Sequence, residues 1–279
     1  MKIPPWLHGR SLRFKMIGFV LVVIVGSLAT TGTITVWQTN GLLRTEKVKD
    51  VQSVSNLIGC ACELPLAVGD VKELKALAEK SKVKLMISAA TAAALPTLDV
   101  GLSCLAGTEV LTAEGILNGT TNYILTRMHE DGSPYGEALK EAQKMGVAEP
   151  DPSLDVEGRD TGNKILLIAN EVFQAGLSLK DIAVEGITKV TLQDVRRAKE
   201  EGKVIKLIGK VEKKDGRILA SVAPMALPAN HPLASVRGTE KAISYLTDTM
   251  DRVTVSGGKS NPLGAAAALL KDIIRIYSR

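Results

Sequence analysis

Residues 203–225 read Lys203-Val-Ile-Lys-Leu-Ile-Gly-Lys-Val-Glu-Lys-Lys-Asp215-Gly216-Arg-Ile-Leu-Ala-Ser-Val-Ala-Pro-Met225. Two runs rich in aliphatic and β-branched residues flank Asp-Gly, the dipeptide that most readily takes the positive φ of a tight hairpin turn. The pattern predicts antiparallel strands over 203–213 and 217–225. Upstream, Thr191-Leu-Gln-Asp194 has the form of a capping box, and Gly202 stops the helix it begins. Ser133-Pro134 opens a further helix that Gly146 closes, and Lys164–Gln174 carries the Ile, Leu and Val of a helix packed on a sheet. From about Leu98 onward, short elements alternate with Gly, Pro and Asp-Gly, the texture of a soluble α+β domain. Its boundary falls at residues 85–100. Leu85–Leu95 is too short to cross a membrane and is broken by Pro96 and Asp99, so it reads as a buried segment.

The amino-terminal third is different. Met16–Trp37 carries no charge over a length that spans roughly 30 Å of hydrocarbon as a helix. Residues 1–15, with Lys2, Arg10, Arg13 and Lys15, precede it as a basic segment. The run is long for a signal peptide and no small-x-small cleavage pattern follows it cleanly, so an uncleaved single-pass anchor is expected. A buried core helix is the alternative, which leaves the chain cytoplasmic. Arg44, Lys47 and Lys49 follow closely, so positive charge orients the span only weakly, with the amino terminus inside. Residues 38–84 read as a helical stalk, with Asn40 as a cap, an apolar recurrence through Leu42, Leu43, Val48, Val51, Val54 and Leu57, and a break at Pro65. Anchor and stalk together resemble the amino-terminal end of bacterial membrane sensors such as histidine kinases and chemoreceptors.

Composition narrows the chemistry. The chain has 279 residues, 45% hydrophobic and 23% charged, so it folds, and 35 basic against 30 acidic residues is only a mild excess. Aromatics at 3% are too few to stack single-stranded bases, and no nucleic-acid partner is expected. Three histidines and three cysteines, with Cys60-x-Cys62 the only close pair, offer no set of ligands for a metal and no disulfide framework.

Polar chemistry gathers in Glu149-Pro-Asp-Pro-Ser-Leu-Asp155-Val-Glu-Gly-Arg-Asp160-Thr-Gly-Asn-Lys164, where five acidic residues and one lysine fall within sixteen positions. Asp160 and Lys164 stand i, i+4 and share a face once a helix begins near residue 160. A lysine beside a carboxylate in a partly dry pocket is a usable proton donor or acceptor, and Glu149 and Asp155 suit a substrate ammonium. A solvated acidic loop carrying a surface ion pair fits the same spacing. His231 reads as a structural hydrogen bonder, and His8 and His129 as ordinary surface residues.

Several motifs in order carry a resemblance. Gly115-Ile-Leu-Asn-Gly-Thr-Thr-Asn-Tyr-Ile-Leu125, Glu149-Pro-Asp-Pro, Gly158-Arg-Asp160, Lys164, Ile205-Lys-Leu-Ile-Gly209 and His231-Pro-Leu-Ala-Ser-Val236 resemble the substrate and dimerisation region of homoserine dehydrogenases, over about residues 85–279. The resemblance implies a sheet flanked by helices, a homodimer, and NAD(P)-dependent interconversion of L-homoserine and L-aspartate 4-semialdehyde, on the way to threonine and methionine. It implies that Lys164 donates the proton to the forming alkoxide, that Asp160 orients that lysine, and that Glu149 and Asp155 hold the amino acid's ammonium. Asn118, Gly119 and Thr120 would line the pocket, Gly119 being the one position offered to the cofactor.

The chain departs from that pattern in three places. No Gly-x-Gly-x-x-Gly turn of a Rossmann domain is present, and anchor and stalk stand where that domain belongs. The family's glycine triplet before Ile-Pro is Ala92-Ala93-Ala94 before Leu95-Pro96, and Ser88 stands in place of a glutamate. Its later glycine-rich loop reads Gly257-Gly258-Lys259-Ser260-Asn261-Pro262-Leu263-Gly264, in which Gly258-Lys259-Ser260 lacks the upstream glycine of a P-loop because Val253 holds that position. Three readings follow: a dehydrogenase, a membrane-tethered pseudoenzyme that binds an amino acid, and a non-functional fusion of a sensor's amino terminus to a truncated dehydrogenase.

Overall fold

The computed structural model describes residues 78–80, 82, 84–258 and 262–277. The chain divides into units at residues 1–51 and 52–279, and all the described residues belong to the second. The expected basic segment, the span at 16–37, nearly all of the stalk at 38–84 and the Lys259-Ser260 dipeptide lie outside the described residues. Among the described residues no helix is long and apolar enough to cross a membrane.

In chain order the elements are α1 (Ala89–Ala92), α2 (Thr97–Asp99) running into a π turn at Val100–Cys104, β1 (Val110–Ile116), α3 (Gly119–Asp131), α4 (Tyr135–Lys144), α5 (Ser153–Val156), α6 (Arg159–Val172), a 3-10 turn at Leu179–Asp181, β2 (Ala183–Val184), α7 (Leu192–Glu200), β3 (Lys203–Lys214), β4 (Arg217–Pro228), β5 (Lys241–Thr247), β6 (Arg252–Gly257) and α8 (Pro262–Tyr277). The strands form one sheet in the order β2-β4-β3-β1-β5-β6, antiparallel throughout except for the two-residue pairing of β2 with β4. The α+β expectation holds.

The hairpin is as its sequence predicts: Lys214 pairs with Arg217, and Asp215 and Gly216 take φ of 51° and 73°, the two positive values of a primed turn. Strand β4 runs three residues past the expected end, through Pro224 and Pro228. The reason is its outer edge. β2 covers only Ser221 and Val222, so beyond them β4 is an edge strand on which a missing N–H costs nothing.

Alternation along the strands divides the apolar side chains between two faces. Ile205, Leu207, Val211, Ala220, Val222, Ile243 and Tyr245 join Ile124, Leu125, Met128, Ile165 and Ile168 of α3 and α6 in the main core. Ile116, Ile208, Leu227 and Ala242 face the other way and are covered by Leu233, Ala234 and Val236 of the segment between β4 and β5. Helix α6 lies close on the sheet because Gly209 offers no side chain: a Cβ there would stand 3.0 Å from Thr161 Cγ2. Tyr245 ties α2 to the sheet centre by donating its hydroxyl to Thr97 O at 2.9 Å, and burial pushes its phenol well above the ordinary range.

Thr191 and Asp194 make the reciprocal capping box of α7, and Gly202 follows that helix at φ 68°. At α4 the proline sits one position earlier than expected. Pro134 is extended, at φ −59° and ψ 149°, and is itself the N-cap, so Ser133 caps nothing. The segment 85–95 is buried only in part: Leu95 and Ala92 are in the core, but Leu85 is exposed because the chain reaches α1 along the surface. His129 also differs from its reading. It is half-buried, its Nδ1 has no hydrogen-bond partner among the described residues, and burial followed by the nearby Lys199 lowers its pKa.

Candidate active site

The site is built where β1 hands the chain to α3. Asn118 is extended at φ −124° and caps α3 by accepting the Thr121 N–H on Oδ1 at 2.9 Å. Its carboxamide oxygen being occupied, its Nδ2 donates outward, to Asp155 Oδ1 at 2.6 Å and to Asp160 Oδ2 at 2.7 Å. One asparagine thus joins two carboxylates from α5 and α6. Asp160 Oδ2 also accepts from Lys164 Nζ at 2.6 Å, across one turn of α6, and Lys164 Nζ reaches the main chain at Leu117 O, 3.2 Å away. Both side chains of this ion pair are about one-fifth exposed, so it is no solvated surface pair.

The two carboxylates are not equivalent. Asp155 is held above the usual carboxylate range, chiefly by burial and then by the neighbouring charge of Asp160, against the hydrogen bonds of Asn118 and Thr120 and the charge of Lys164. A carboxylate that is costly to keep charged, beside one paired with a lysine, suits reception of an incoming cation. Thr120 donates Oγ1 to Val147 O at 3.0 Å and so holds the loop that leads to Glu149 against the start of α3. The residues expected from the sequence therefore converge in large part: Asp155, Asn118, Asp160 and Lys164 are bonded in a chain with Thr120 beside Asp155, Gly119 is the buried first residue of α3, and Glu149 is exposed two residues beyond the Thr120 anchor, its main-chain oxygen accepting from Gln143. His231 is the structural residue expected, its Nε2 3.3 Å from Glu114 Oε2 and its Nδ1 accepting from Leu233 N.

Two side chains of this region have no place in the sequence-based reading. Lys241 opens β5, is 4% exposed, and donates Nζ to Ala92 O at 3.1 Å. Its pKa is lowered to about 8, by burial first and then by Lys164, with Asp160 opposing. Asp272 of α8 comes behind Ser88, accepting the Ser88 N–H at 3.1 Å and the Ser88 hydroxyl, so a carboxylate stands beside the position where the serine replaces the expected glutamate. A lysine within the apolar run Lys241-Ala-Ile-Ser-Tyr-Leu246 is the signal that finds the first; the second depends on a long-range contact.

The described residues do not fit a dinucleotide. Among them no Gly-x-Gly-x-x-Gly turn joins a strand to a helix, and the one parallel pairing of their sheet is two residues long. The turn at Ala92–Leu95 keeps a conformation suited to glycine, Ala93 standing at φ 53° and ψ −107°, and Gly258 packs on it so closely that a Cβ would meet Leu95 N at 3.2 Å. Among the described residues no group of three His, Cys, Asp or Glu is placed to hold a metal.

The sequence model of homoserine dehydrogenase matches residues 96–274. The chain belongs to the homoserine dehydrogenase family. It is 41% identical over 207 residues to the homoserine dehydrogenase of Methanocaldococcus jannaschii, covering 74% of this chain and 60% of that protein. It is 40% identical over 206 residues to the NAD(+)-dependent homoserine dehydrogenase of Pseudomonas canavaninivorans, covering 74% and 58%. Among solved structures, a homoserine dehydrogenase from Thiobacillus denitrificans superposes with a TM-score of 0.71 at 30% identity, over 74% of this chain and 48% of that one. A hyperthermophilic archaeal homoserine dehydrogenase in complex with NADPH superposes with a TM-score of 0.65 at 27% identity, over 76% and 61%. The chain therefore spans about three-fifths or less of the length of these homoserine dehydrogenases.

Proposed function

We propose that the domain is the substrate half of a homoserine dehydrogenase and binds L-homoserine or L-aspartate 4-semialdehyde. Asp155, with Glu149 from the loop, takes the substrate ammonium, and Gly119 and Thr120 line the pocket. Lys164 exchanges a proton with the substrate's hydroxyl oxygen, while Asp160 and Asn118 fix the direction of its ammonium. The observation that carries this reading is the hydrogen-bonded chain from Asn118 through Asp160 to Lys164, with Asp155 on its flank. A base or acid held by a carboxylate partner is ready for proton transfer without rearrangement. The redox half of the reaction needs NAD or NADP held by residues beyond the described ones, or by another chain.

Purified full-length protein is assayed for homoserine-dependent reduction of NAD(+) and of NADP(+), with Lys164→Ala as control. Activity lost in the variant supports a dehydrogenase. No turnover in a folded protein that still binds homoserine supports the second reading, an amino-acid-binding pseudoenzyme, which the poor fit to a dinucleotide favours. A fusion without function binds neither. The homodimer implied by the family is read by sedimentation equilibrium. The anchor at 16–37 is read by alkaline extraction of membranes: retention supports a single-pass protein, and release supports a cytoplasmic one, the compartment that holds reduced nicotinamide.

A further inference from the structure

Lys241 is a buried cation with no salt-bridge partner among the described residues. It lies one residue before Ala242, which pairs with Ile116, so it enters the sheet beside Leu117, whose carbonyl holds Lys164. Of its three ammonium protons one goes to Ala92 O, and among the described residues no carboxylate lies within ion-pair distance of it. Burial and then the charge of Lys164 disfavour its charged form, and Asp160 opposes them less strongly. A buried ammonium with a like charge nearby and two donors unspent is a costly arrangement unless an anion completes it. The other cation of the site cannot serve, because Lys164 is already shared between Asp160 and Leu117 O. The carboxylates of the site in turn suit only a ligand's positive end.

We propose that Lys241 is the seat for the ligand's α-carboxylate, so that the pocket reads both ends of an amino-acid zwitterion, the ammonium at Asp155 and the carboxylate at Lys241. This rests on the reading of the site as one for an amino acid, and it makes Lys241 a specificity-determining residue for that ligand. Its unspent N–H donors reach the carboxylate oxygens, and no covalent step is involved.

The test is calorimetric titration of the full chain with L-homoserine and with 3-aminopropan-1-ol, which keeps the ammonium and hydroxyl but lacks the carboxylate. The wild type should bind homoserine at least about tenfold more tightly than the amino alcohol, and Lys241→Met should lose about tenfold for homoserine with the amino alcohol unaffected, the scale of a charge-assisted hydrogen bond. Equal affinity of the wild type for the two ligands overturns the assignment, as does homoserine binding undiminished in Lys241→Met. If Lys241→Met does not fold, the ligand pair on the wild type decides alone. Failure of the wild type to bind either ligand instead refutes the amino-acid reading, and the role of Lys241 with it.

Discussion

The start of α3 and the turn at Ala92–Leu95 meet the same end of the sheet and have opposite characters. At the first, the polar side chains are linked: Asn118 caps a helix with one atom of its amide and joins two carboxylates with the other, and Lys164 is fixed at two points. At the second, the backbone holds the angles of a glycine turn while alanines occupy it, Ala93 at φ 53° being the clear instance. The first is a connected network of hydrogen bonds from Asn118 to Lys164, the arrangement proposed above for a small polar ligand, whereas the second keeps a glycine-like turn in which alanine adds a methyl group.

The contrast is broken most severely at Asn118. Asn118→Ala removes the cap of α3 and leaves Asp155 and Asp160 facing each other without their shared donor, so thermal unfolding should show a loss of about 2–4 kcal/mol. A loss under about 0.5 kcal/mol would mean that the network is not structural. Next in size is a pH effect away from the site. Lys206, 1% exposed and donating to Asn122 Oδ1 at 2.9 Å, is lowered to about 8 by burial, as Lys241 is. Between about pH 8 and the ordinary 10.5 the unfolded chain binds protons that the folded chain does not, so stability rises with pH, by at most about 1.4 kcal/mol per unit for each lysine. Below pH 8 both states are protonated and these groups contribute no slope. Denaturant melts at pH 8 and 9.5 measure the rise, and Lys206→Met should reduce it by about half.

Two smaller effects sharpen the comparison. Ala93→Gly relieves a positive φ at some cost in chain entropy and should stabilise by about 1 kcal/mol, read as an upward shift of the melting temperature. Asp155→Asn should also stabilise, by about 1 kcal/mol or less, since it removes a buried charge while its amide oxygen still accepts from Asn118, and it should weaken binding of an ammonium ligand. Smallest in stability is α8, where Leu263, Leu270 and Ile274 are exposed along one stripe. Changing all three to Ser should alter the melting midpoint by under about 0.5 kcal/mol per residue while lowering self-association in sedimentation.

Legibility followed the range of the interactions. The hairpin at Asp215-Gly216, the capping box at Thr191 and the Asp160–Lys164 pair are all decided within a few residues, and each is where its spacing predicts. The bonds of Asn118 were not legible locally, and a pocket role was expected of it only from the family resemblance, because its geometry depends on Asp155 and Asp160, brought to it by the packing of α6 over Gly209. Lys241 leaves a local trace, a lysine in an apolar run, but its place beside Lys164 needs β1 paired with β5, and the Ser88–Asp272 contact needs α8 folded back beside α1, contacts that no local period encodes. Pro134 shows a smaller limit: proline at a helix start is read correctly, but the exact position depends on ψ, which the sequence leaves open.

The most direct measurement is titration of L-homoserine, without nucleotide, into the full chain and into its Asp155→Ala variant. A substrate half that works by itself binds homoserine in the wild type and loses about tenfold or more in the variant. No binding to the folded wild type, or equal binding to both, contradicts the account.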